Sequence, residues 1–77
     1  MNNARRKKLQ KIYDQLEKLK LEFDFVIEKE QEAFENIPEN LQDTEQYDTM
    51  ESGVESLEDV QNSFDTFIME FSELLEL

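Results

Sequence analysis

Carboxylates are the main chemical resource of this sequence, with twenty Asp and Glu side chains in 77 residues. Such groups can serve as acid–base pairs, as metal ligands or as a repulsive field. Acid–base work normally recruits histidine, and nucleophilic catalysis a cysteine or an imidazole-activated serine. The chain has no histidine and no cysteine, so Ser52, Ser56, Ser63 and Ser72 have no such activator. A glycosidase-like carboxylate pair needs a concave site. The run EKEQE at 28–32 spreads its acids around a helix instead of pairing them. A calcium loop starting at Asp43 fails because Asp48 occupies the position where that loop requires glycine. The expectation is a protein with no catalytic residue, no cofactor and no metal.

The charge is informative through its placement. Residues 1–20 carry seven Lys/Arg against two Asp/Glu, a net +5, whereas residues 21–77 carry one Lys against eighteen acids, a net −17. No basic residue comes after Asp43. A field of that sign repels nucleic acid and attracts basic surfaces. It serves solubility in the plain reading, and in the sharper one an acidic decoy for a basic, nucleic-acid-binding groove. The basic RRKK at 5–8 is short, with acids close behind it. Neither direct nucleic-acid contact nor a membrane surface is expected for it.

Helix-favouring Glu, Leu, Lys and Gln dominate the chain. Leu9, Ile12, Leu16, Leu19, Phe23, Val26, Glu30, Ala33 and Ile37 advance by alternating steps of three and four. That is a heptad seam interrupted only by Glu30. Tyr13, Ile27 and Phe34 widen it on one flank. The same rhythm returns in Tyr47, Met50, Val54, Leu57, Gln61, Phe64, Ile68, Phe71 and Leu75, widened by Val60, Phe67 and Leu74. Pro38, the one proline, must break the first helix just before it. PENLQ can form a short helical turn, and Asp43 or Thr44 can cap the second helix.

The expected fold is all-α: one domain over residues 1–77, an antiparallel two-helix coiled-coil hairpin. Its helices should cover about 4–36 and 44–76, with a turn at about 37–43. Pairing like heptad positions places Leu9 opposite Leu75, Leu16 opposite Ile68, Ile12 opposite Phe71 and Glu30 opposite Val54. Gly53 would then mark a close approach or a bend. Arg5, Arg6, Lys7 and Lys8 would lie near Glu70, Glu73 and Glu76.

Leu21 and Phe25 share a helix face away from the seam, and Met69 is similarly placed on the second helix. Stripes this wide exceed what one hairpin covers, so self-association into a four-helix bundle is one expectation. The other is docking on a protein with a basic surface. The residues expected to carry partner binding are Leu21, Phe25, Glu45, Asp48, Glu51, Glu55, Glu58 and Asp59.

With ARRKKLQKI at 4–12, NIPENLQDTEQYD at 36–48 and the acidic ESLEDV after it, the chain resembles small acidic helical-hairpin proteins of Gram-positive phages and integrative elements. The phenylalanines at 64, 67 and 71 depart from that pattern. The resemblance implies a mobile-element protein acting in the bacterial host cytoplasm, and it supplies no activity or site residues. The expected function is binding and inhibition of a host defence protein, as an anti-CRISPR does, with a homo-oligomeric phage assembly module as the alternative. No stretch is apolar enough to span a membrane.

Overall fold

The computed structural model describes residues 1–77 as two long helices folded back on each other. The first, α1, spans Asn3–Glu35, and the second, α2, spans Glu45–Leu75. A single 3₁₀ turn at Glu39–Leu41 lies between them. The architecture is an all-α helical hairpin about 60 Å long and 15 Å across.

Each boundary has a local cause. Asn2 caps α1 by accepting the Arg5 amide on Oδ1 at 2.9 Å, satisfying one of the donors that a helix start leaves free. Pro38 has no amide hydrogen to continue α1, which closes with Asn36 N–H donating to the Glu32 carbonyl. The chain then turns through Leu41 N–H to the Pro38 carbonyl at 2.9 Å. Thr44, and not Asp43, caps α2. Its hydroxyl donates to the Leu41 carbonyl at 2.7 Å and accepts the Tyr47 amide at 3.2 Å. Glu45 and Asp48 lie in the first turn, where the helix dipole favours negative charge.

On α2 the side turned to α1 is the anticipated one: Tyr47, Met50, Val54, Leu57, Gln61, Phe64, Ile68, Phe71 and Leu75 are all at least half-buried. On α1 it is displaced. The line facing α2 is Arg6, Tyr13, Lys20, Ile27 and Phe34, at strict seven-residue spacing, joined first by Leu9, Leu16 and Phe23 and later by Asp24 and Gln31. Ile12, Leu19 and Val26, anticipated in the seam, are about half exposed. Thus Tyr13, not Ile12, stacks on Phe71, with ring centroids 5.7 Å apart. Phe23 meets Phe64 edge-on at 6.1 Å, and Phe34 stacks on Tyr47 at 4.8 Å beside the bend.

The displacement has a physical reason. An α-helix drifts by roughly 20° per heptad against a strict seven-residue repeat. Keeping to the original line would press Glu30 against Val54, at the cost of desolvating a carboxylate. Rotation turns Glu30 outward and brings Ile27 in. Ile27 is only 1% exposed and Val54 only 8%, and these two form the entire fully buried core.

Gly53 makes no close approach: a Cβ placed there would meet nothing within 4 Å. Its cost is therefore purely that of glycine inside a helix. Gly53→Ala should stabilise the hairpin by about 1 kcal/mol, read as a higher urea midpoint. Ile27→Ala should destabilise it by roughly 2–5 kcal/mol in the same measurement.

Candidate interaction surfaces

The hairpin has two long faces of different chemistry. One is polar. Lys20 Nζ lies 2.7 Å from Asp24 and 3.0 Å from Asp65 across the seam. Gln61 donates to Asp24 Oδ1 at 2.9 Å, and further along Gln31 donates to Glu58 at 2.9 Å. Gln61 interrupts the apolar repeat of α2, and this bond gives its amide a partner.

Asp24 is held below the ordinary aspartate value, chiefly by the Lys20 hydrogen bond and then by Gln61. Lys20 is held above the ordinary lysine value by its bonds to Asp24 and Asp65. Solvent screens this half-exposed network, so its worth is modest.

The opposite face is apolar and open. There Leu19, Glu22, Phe23, Val26, Leu57 and Phe64 line a depression of about 520 Å³. Val60 and Phe67, each 50% exposed, border it on α2, and Phe67 packs edge-on against Phe71 at 6.0 Å. Residues anticipated for the α1 seam thus form the wall of an exposed groove. The signal is present in the sequence as a third apolar line, because the two helices share only one line of contact.

The anticipated partner-binding residues are all exposed, and the structure does not gather them into one site. Glu51, Glu55 and Glu58 surround one shallow depression of about 350 Å³ on the polar side, floored by Phe34 and Val54. Glu45 and Asp48 sit at the start of α2, beside the bend. Leu21, 71% exposed, and Phe25 lie on the outer side of α1, facing away from the groove. Lys29 Nζ stands 5.3 Å from the Phe25 ring centre, an exposed cation–π contact. Arg5, Arg6, Lys7 and Lys8, expected near Glu70, Glu73 and Glu76, form no ion pair with them. Arg6 instead donates to the Leu75 carbonyl at 3.0 Å. It satisfies an acceptor at the negative end of the α2 dipole.

No group of three carboxylates converges to hold a metal ion, and no helix is long and apolar enough to cross a membrane. Comparison with family models, with curated proteins and with solved structures gives no match.

The polar ladder predicts a pH signature. The Asp24 contribution is present above the ordinary value of 3.8 and is lost as pH falls through its depressed folded value. The Lys20 contribution is present below 10.5 and is lost as pH rises through its raised value. The stability advantage of the native chain over Asp24→Asn should be constant near neutrality and shrink as pH falls below 3.8. Urea midpoints of the two proteins, measured in parallel, read that difference. The parallel comparison removes the general relief of acid–acid repulsion that both share.

Proposed function

We propose that this chain is a phage or mobile-element protein that binds a host protein and inhibits it by occupancy, in the manner of an anti-CRISPR or other anti-defence inhibitor. The observation that carries the reading is the charge of the bend half of the hairpin. Residues 28–59 hold twelve acids against Lys29 alone, and Lys29 is engaged with Glu32 at 3.5 Å. The remaining carboxylates there have no cation of their own chain beside them. Their natural counterpart is the basic groove of a nucleic-acid-binding protein, which meets the same sign of charge in its usual ligand. The resemblance to phage and integrative-element proteins supports a host-directed target in the bacterial cytoplasm.

In this role Glu45, Asp48, Glu51, Glu55, Glu58 and Asp59 draw the partner in, and the exposed Phe25 and Leu21 extend the contact along α1. Charge speeds association, whereas desolvated aromatic anchors set how long the complex lasts. Helix geometry keeps Glu51, Glu55 and Glu58 along one side of α2, spaced by about one turn. No group in this mechanism is asked to transfer a proton or form a bond.

The test uses immobilised protein and lysate of a Gram-positive host. Basic nucleic-acid-binding proteins should be retained at low salt, released steeply as salt rises, and displaced by duplex DNA. Glu51→Lys, Glu55→Lys and Glu58→Lys together should abolish retention while leaving helicity by circular dichroism unchanged. Undiminished retention by that triple variant rejects the acidic-occupancy reading.

A further inference from the structure

We propose that the open apolar groove is the seat of a second copy of this chain, packed antiparallel to the first to form a four-helix bundle. This inference rests on the groove and on the charge of α1. It does not depend on the acidic bend or on any host target.

The face matches itself about a two-fold axis. Place the axis across the groove at Leu19 and Phe64. Each α1 then runs antiparallel over its counterpart, with Leu19 meeting the partner's Leu19 and Ile12 meeting the partner's Val26. On the second helices, Val60 meets the partner's Phe67. Ile12, Leu19, Val26, Val60 and Phe67 are between 45% and 57% exposed in the single hairpin, so each has apolar surface left to bury. A symmetric dimer requires this kind of self-complementary patch.

The area is sufficient. About the Leu19 axis the matched span of α1 runs from Arg5 to Ala33, roughly 42 Å at the helical rise. With the hairpin 15 Å across, each copy contributes roughly 630 Å² and the pair about 1,260 Å², at the low end of the range for a specific interface. The need is also evident: one hairpin alone fully buries only Ile27 and Val54. Chains of this size seldom hold a stable fold on so little core.

Charge selects the direction. Residues 1–20 are net +5, and residues 21–35 carry six acids against Lys29, a net −5. Antiparallel packing lays the positive half of each α1 on the negative half of the other. In this register it brings Lys8 toward the partner's Glu30. Lys8 makes no ion pair within its own chain. Parallel packing would set the two acidic bends side by side, whereas the antiparallel pair holds them at opposite ends. The α2 helices, both acidic, cross where charge is sparse. Residues 60–69 contain one acid, Asp65, which is engaged by Lys20 on the other face. The exposed apolar residues there are Val60 and Phe67.

Sedimentation equilibrium of the native chain at micromolar concentrations should give the mass of a dimer, and Phe67→Glu should give a monomer. Phe67 lies outside the line of contact between α1 and α2, so the variant hairpin should keep its helicity. Because the chain has no cysteine, Leu19→Cys supplies a readout that does not rely on destabilising anything. Under mild oxidation it should cross-link to its partner on the order of 100-fold faster than Leu21→Cys, which lies on the outer side, since the paired thiols share a high effective concentration. A monomeric mass at high micromolar concentration overturns the proposal. So does equal cross-linking at the two positions. A dimer in which the Leu19→Cys variant fails to link overturns the antiparallel arrangement.

Discussion

A helix in a two-membered hairpin has one neighbour, and so one line along which it can bury side chains. This constraint governs the rest of the molecule. The first helix carries three apolar lines, and at most two adjacent ones can approach the second helix. The pair that is covered contains Ile27 and Phe34 together with two cations, Arg6 and Lys20. The line left out contains Ile12, Leu19 and Val26, and its one charge is Arg5 at the exposed start of the helix. By hydrophobicity alone the reverse would be expected. The cations decide it, because each finds a partner across the seam: Arg6 at the Leu75 carbonyl and Lys20 at Asp65. Glu30 decides it too, since the alternative rotation would press a carboxylate against Val54.

That rotation divides the surface. Polar residues of both helices meet on one side and satisfy each other, as Gln61 does with Asp24 and Gln31 with Glu58. The displaced apolar line and the outer flank of α2 meet on the other side with nothing between them. The acidic bend adds a third region at one end. One chain of 77 residues thus offers separate places for electrostatic and for apolar contact.

Much of this is legible in the residues. Pro38 marks the break, Thr44 stands among the candidate caps, and the seven-residue rhythm of α2 marks its inner face correctly. The rotation of α1 is not legible, because three neighbouring apolar lines fit a heptad repeat in more than one phase. Gly53 misleads for a related reason. Its place beside Glu30 in the anticipated register suggests a close approach, and once Glu30 turns outward nothing remains to approach. The partner-binding residues are legible as exposed acids and apolar outliers. Their grouping is not, because it depends on which helix face the bend turns toward solvent. The groove is written as an excess of apolar width, without an indication of which line is left over.

The bond from Arg6 to the last turn of α2 also ties the beginning of the chain to its end. Both termini therefore sit together at one pole, and the molecule is about 60 Å long. A fluorophore, tether or fused domain attached at either terminus would stand far from the acidic bend and leave it uncovered. The same attachment, if bulky, would crowd the guanidinium that closes the hairpin.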